Sequence, residues 1–129
     1  MRIGVDLDNT LACYDRVFHA AALEQGLIPA GGVATDKVSV RDWLRGQGAD
    51  AAFTALQGYV YGPGMRHVSV YPGAADALAA LRAAGCELWV VSHRTARPFA
   101  GPSYDLHAEA RRFLLAQGLV GEGAVFEPH

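Results

Sequence analysis

Lysine is almost absent from this chain, and Lys37 is the single one among 129 residues. The 11 Lys and Arg residues are outnumbered by 13 Asp and Glu, so the formal net charge is -2, and the arginines form no basic stripe. Clustered cations that contact phosphates supply most of the affinity of nucleic-acid-binding proteins. We therefore expect no nucleic-acid polymer as a partner.

Cysteine and long apolar runs are also scarce. Cys13 and Cys86 are the only 2 cysteines and follow no spacing pattern, so we expect free thiols and no structural disulfide. No leader-like start is present, and no apolar run approaches the roughly 20 residues of a membrane span. A cytoplasmic protein without a membrane partner is the resulting prediction. With 51% hydrophobic and 19% charged residues, the composition is typical of one globular domain.

Strand-like and helix-like segments alternate along the chain. The pattern predicts strands at 2–5, 87–91 and 124–127, and helices at about 15–25, 39–44, 50–60, 74–84 and 104–117. Ser39 is predicted to cap the second helix. Strands that alternate with helices favour βαβ crossovers, so we predict an α/β fold with a Rossmann-like parallel sheet and a helical insert after the first strand.

Polar side chains follow two of these strands. Asp6 and Asp8 come at the end of the first, and Ser92 ends the strand at 87–91. Ligands of open parallel sheets bind at the carboxyl ends of the strands, so these three residues are expected to meet in one pocket. The plainer alternative is a polar turn with a helix cap at the aspartates and an ordinary turn hydroxyl at Ser92.

A carboxylate pair of this kind suits phosphoryl transfer. Asp6 would act as the nucleophile and Asp8 as the general acid and base. Two carboxylates repel a phosphate unless a cation intervenes, and Mg²⁺ prefers such hard oxygen ligands, so Asp6 and Asp8 are the predicted metal residues. The predicted phosphate- and substrate-binding residues are Asn9, Thr10, Ser92, His93 and Arg94. For His93 and Arg94 the alternative is a solvated loop.

The stretch Asp6-Leu7-Asp8-Asn9-Thr10 resembles motif I (DxDxT) of the haloacid dehalogenase-like hydrolase superfamily. The apolar strand that ends in Ser92 resembles its motif II. The resemblance implies a core at 1–12 and 70–129, with a small helical cap at about 13–69. It also implies the phosphatase branch, with Mg²⁺ held by the Asp6 side chain and the Asp8 backbone carbonyl.

Two departures from the family pattern stand out. No lysine follows Lys37 to serve as the motif III base, for which Arg111 or Arg112 is the candidate replacement. No acidic pair follows a further strand as in motif IV, and Glu127 is the only nearby carboxylate. Without that further strand, the first strand has an open edge of the kind that invites pairing with another chain, such as a second copy. Three explanations are open: the chain is C-terminally truncated, a partner covers the edge, or the core is rearranged, and we expect the first.

Two functions follow from this sequence. The first is a Mg²⁺-dependent phosphohydrolase that acts on a small phosphorylated metabolite through an aspartyl-phosphate. The alternative is a catalytically incomplete fragment or relic that only binds phosphate or metal. A receiver-like phospho-acceptor domain fits less well, because the helical insert comes directly after Asp8.

Overall fold

A three-stranded parallel sheet organises the fold. In a computed structural model the chain is a mixed α/β protein, and the structure describes residues 1–8, 10–119 and 124–126. The sheet contains β1 (Arg2–Asp6), β4 (Glu87–Ser92) and β5 (Ala124–Phe126) in the order β1-β4-β5, with strands numbered in chain order. The predicted α/β class and parallel pairing are confirmed.

The central strand is the apolar one. Along β4 the side chains of Leu88, Val90 and Ser92 are buried and alternate with partly exposed neighbours. Both edges of β4 are paired, with Asp6 of β1 opposite Val91. An apolar strand with β-branched residues suits this position because one face of β4 is buried in the core and both of its edges are paired. β1 therefore ends beside the carboxyl end of β4.

Most of the other regular elements in the described chain are helices. They are α1 (Asp15–Glu24), α2 (Lys37–Gly46), α3 (Asp50–Tyr61), α4 (Ala74–Ala83) and α5 (Leu106–Ala116), with a 3₁₀ turn at Pro63–His67. In the insert, Phe18 of α1 is fully buried and stacks on Phe53 of α3, with ring centroids 5.7 Å apart. Within the described ranges, none of the helices combines the length and apolarity needed to cross a membrane.

A short antiparallel ladder joins the two ends of the insert. β2 (Ala12–Cys13) pairs with β3 (Ser69–Val70), and the Tyr71 N–H donates to the Leu11 carbonyl at 2.9 Å. Two-residue strands carry no readable alternation, so this ladder was not predicted. It fixes where the chain leaves the sheet and where it returns.

The predicted cap of α2 is wrong. Asp36, not Ser39, is the N-cap, and its carboxylate accepts the Ser39 backbone N–H at 2.7 Å and the Ser39 hydroxyl at 2.8 Å. These contacts lower the pKa of Asp36, chiefly through the backbone N–H. The first backbone N–H groups of a helix have no partner within the helix, and Asp36 accepts one of them from the position just before the first turn. Ser39 lies inside that turn and is therefore not the capping residue. In the same way α5 begins at Leu106, after the capping carboxylate of Asp105, and not at Tyr104.

Candidate active site

A tight turn carries the two aspartates past the end of β1. The Leu7 carbonyl accepts the backbone N–H groups of Thr10, Leu11 and Ala12 at 3.4, 3.0 and 3.0 Å. The Leu7 side chain is fully buried, which anchors the turn, while Asp6 is exposed and Asp8 is partly buried. The two carboxylates therefore leave the same strand end into different environments.

Arg94 lies at the centre of the site. Its side chain is only 1% exposed, and its Nη2 lies 3.0 Å from Asp8 Oδ1 and 2.7 Å from the Tyr14 hydroxyl. Nη1 donates to the carbonyls of Tyr61 at 3.1 Å and Leu106 at 3.3 Å. The solvated-loop alternative is therefore wrong for Arg94. Because the planar guanidinium binds several oxygens at once, it ties the turn after β1 to the insert and to α5.

Two tyrosines and a lysine of the insert surround this ion pair. Tyr14 donates to Asp8 Oδ1, and burial raises the pKa of Tyr14 far above the physiological range. Burial likewise raises the pKa of Tyr61, whose ring lies 4.8 Å from the Arg94 guanidinium. Lys37 Nζ donates to the Tyr61 hydroxyl at 2.8 Å. Burial lowers the pKa of Lys37, although the charge of Asp8 opposes that shift.

The cations of the cluster are matched by carboxylates. Arg94 pairs with Asp8, and Lys37 lies near both Asp8 and Asp15, whose Oδ1 accepts the Lys37 backbone N–H at 3.0 Å. Both tyrosines remain neutral because their pKa values are raised. Among the described residues, Asp8 receives its side-chain hydrogen bonds on Oδ1, from Tyr14 and Arg94. Oδ2 of Asp8 accepts no hydrogen bond from the described part of the chain.

The other predicted binding residues have different positions. Ser92 is buried, and its Oγ accepts the Arg94 backbone N–H at 3.1 Å, so it shapes the turn that holds Arg94. His93 is exposed and lines the cavity described below, and Thr10 is exposed in the turn after β1. Asn9 lies outside the described residues.

A cavity of about 440 Å³ opens between the strand ends and the insert. Asp8, His93 and Arg94 line its floor. The opposite walls come from α3 and from the loop between β4 and α5, and consist of Thr54, Gln57, Gly58, Tyr61, Thr95, Pro98, Phe99 and Leu106. The paired aspartate and arginine therefore lie at the bottom of a cleft large enough for a small metabolite.

The candidates for a metal site are few. No group of three or more His, Cys, Asp or Glu side chains comes together among the described residues. The Asp6 carboxylate is exposed and receives no hydrogen bond from the described part of the chain. Glu127 lies outside the described residues. Arg111 and Arg112 are exposed on α5, where Arg112 pairs with Glu109 at 2.8 Å.

Three residues of the cluster were not predicted as site residues. Tyr14 and Tyr61 look like ordinary core aromatics in the sequence, and Lys37 looks like a surface residue of the insert. The signal available was composition, since a lone lysine in an arginine-rich chain is unusual. No family model, curated protein or solved structure matches this chain.

Proposed function

We propose that the protein is a phosphohydrolase that cleaves a small phosphomonoester through an aspartyl-phosphate on Asp6. The observation that carries the proposal is the pairing of Asp8 with Arg94 at the carboxyl ends of two adjacent parallel strands, where both line an open cavity. Asp6 ends β1 two residues before Asp8 and is exposed, although it is not among the described residues that line the cavity. On this reading the fold is a Rossmann-like core of the haloacid dehalogenase-like type, and the helical insert is its cap.

The residues divide the reaction into two steps. The Asp6 carboxylate attacks phosphorus and the bond from phosphorus to the leaving oxygen breaks, while Asp8, which enters this step protonated on Oδ2, gives that oxygen its proton. Water then attacks the phosphorus of the aspartyl-phosphate and gives a proton to Asp8, the bond from phosphorus to the Asp6 oxygen breaks, and inorganic phosphate leaves with Asp6 restored. Arg94 and Tyr14 hold Oδ1 throughout, which keeps Asp8 in one orientation.

The donor set fits Mg²⁺ in part. The exposed carboxylate of Asp6 and the backbone carbonyl of Asp8 are hard oxygen donors, and Mg²⁺ is commonly bound by one or two carboxylates together with substrate phosphate and water. When bound, the ion would offset the repulsion between the phosphate and Asp6. Arg94 supplies a permanent positive charge beside Asp8 at the cavity.

The test is hydrolysis of 4-nitrophenyl phosphate with and without Mg²⁺. We expect metal-dependent turnover that Asp6→Asn abolishes, because an amide cannot form the phosphoenzyme. Asp8→Asn should lower kcat by roughly 10² to 10⁴, the usual contribution of a general acid and base. Asp76→Asn, an exposed position on α4, is the matched control and should keep full activity.

A catalytically incomplete relic is the second candidate, favoured by the absence of any three-residue metal group among the described residues. It predicts binding of phosphate or Mg²⁺ in calorimetry without turnover under any divalent metal. Turnover that survives in Asp6→Asn would contradict both candidates, since neither assigns the chemistry to another residue.

A further inference from the structure

We propose that the leaving group of the substrate is an uncharged, hydroxylated ring, as in a sugar phosphate or a nucleoside monophosphate, held between α3 and the loop that follows β4. This inference rests on the proposed function, since it assigns the phosphate to the cavity floor. It concerns the upper part of the cavity, which the chemical steps do not use.

The upper walls offer neutral hydrogen-bonding groups. Gln57 and Thr54 lie one turn apart on α3 and both line the cavity. The Thr54 hydroxyl donates to the Asp50 carbonyl at 3.1 Å, which leaves its oxygen as an acceptor. The Gln57 amide has both donor and acceptor capacity, and no described residue bonds to it. Such groups match the hydroxyls of a sugar.

The charges of the cavity argue against a second anionic group on the substrate. Arg94 is the one permanent cation among the described residues that line it, and its guanidinium is already shared by Asp8, Tyr14 and two carbonyls. A carboxylate or second phosphate in the upper cavity would lose water without gaining a permanent charge partner. Substrates of that kind should bind poorly.

An exposed aromatic ring lies at the mouth of the cavity. Phe99 is 85% exposed, an unusual position for a large apolar side chain, and it lines the cavity next to Pro98. Pro98 packs so closely on α3 that a Cβ added at Gly58 would lie 2.7 Å from its Cβ. The loop is thereby held against the helix, with Phe99 at the cavity mouth. A flat ring stacks well on such a surface.

The test compares kcat/KM for two substrates with an uncharged leaving group, glucose 6-phosphate and AMP, with two that carry a second anionic group, phosphoglycolate and fructose 1,6-bisphosphate. We expect the better of the first two substrates to have a kcat/KM about tenfold or more above that of both others. Which of the two is better shows whether the ring is a sugar or a nucleoside. Phe99→Ala and Gln57→Ala should raise its KM about fivefold with little change in kcat. Leu115→Ala and Gln47→Ala, at exposed positions outside the cavity, are the matched controls.

Failure of this inference is distinguishable from failure of the proposed function. Suppose that 4-nitrophenyl phosphate is cleaved in an Asp6-dependent way but phosphoglycolate or the bisphosphate is the preferred substrate. The inference of an uncharged ring is then wrong, whereas the proposed phosphohydrolase function is supported. If nothing is cleaved, calorimetry with the four compounds decides between the classes by affinity. Equal KM changes in Phe99→Ala and Leu115→Ala would also show that Phe99 does not bind the ring of the substrate.

Discussion

At the scale of single residues, Arg94 has the largest structural role in the site. Its guanidinium is nearly inaccessible to solvent, yet it contacts Asp8, Tyr14 and backbone carbonyls from the end of α3 and the start of α5. A buried cation is costly unless its donors are used. Four acceptors take the Nη1 and Nη2 donors of Arg94, whereas its buried Nε has no partner among the described residues. Arg94 therefore fixes the relative positions of the turn after β1, the insert and α5.

Replacement of Arg94 by lysine should be far from conservative. An ammonium group keeps the charge but cannot reach Asp8 and the two carbonyls together, so we expect Arg94→Lys to lower the free energy of unfolding by about 2 kcal/mol. Urea denaturation followed by circular dichroism measures the difference. Arg97→Lys is the control, because Arg97 is exposed and makes one bond to the Ser103 carbonyl at 3.2 Å. Equal effects of the two substitutions would contradict the role given to Arg94.

The place of Asp8 at the strand end was predictable from sequence, whereas most of the side chains that surround it were not. Asp6 and Asp8 stand in a short motif at a strand end, where residue type and position indicate chemistry directly. Lys37 and Tyr61 reach the site only through the packing of the insert, which brings together positions far apart in the chain. No local pattern encodes that contact. Arg94 was named as a binding residue, but its burial depends on the same packing.

At the scale of elements, the strands of the sheet and the helices could be predicted from the alternation of apolar segments along the chain. The residues at which some of them begin or end could not. The start of α2 was misplaced because Ser and Asp are both good N-caps, and only Asp36 lies just before the first turn. The β2–β3 ladder and the contact between α3 and the loop after β4 have no sequence signature. Yet that contact forms one wall of the cavity.

Gly58 is the residue that permits this contact. Alanine in a helix interior normally gains about 0.5–1 kcal/mol over glycine, but at Gly58 its Cβ would lie 2.7 Å from Pro98 Cβ and 3.2 Å from the Ala100 carbonyl oxygen. We expect Gly58→Ala to lose about 1 kcal/mol of unfolding free energy and to make the loop at 97–103 more susceptible to proteolysis.

Gly46 provides the matched comparison for Gly58. It ends α2, and nothing lies within 4 Å of a Cβ built there. Gly46→Ala should therefore be neutral or stabilising and should leave proteolysis of the loop unchanged. If Gly58→Ala is as stable as Gly46→Ala, the loop is not held by α3 and the cavity wall it forms is not fixed.

At the scale of the whole molecule, β1 is an edge strand of the described sheet. The Leu7 N–H donates to the Val91 carbonyl at 3.2 Å, and the Met1 carbonyl accepts the Glu87 N–H at 2.8 Å. Since successive backbone groups of a strand point to opposite sides, the N–H groups of Arg2, Gly4 and Asp6 face away from β4. Such a row of groups is a template for a second chain.

Pairing between two copies along β1 gives a prediction for the molecule in solution. We expect sedimentation velocity to show a concentration-dependent dimer, related by a two-fold axis that pairs the two edges. Arg2→Pro should raise the dimer Kd roughly tenfold, because proline removes an outward N–H from each copy. Arg2→Ala is the control, since it loses the exposed ion pair with Glu87 but keeps the N–H. A monomer at every accessible concentration, or equal Kd values for the two variants, would show that this edge does not mediate association.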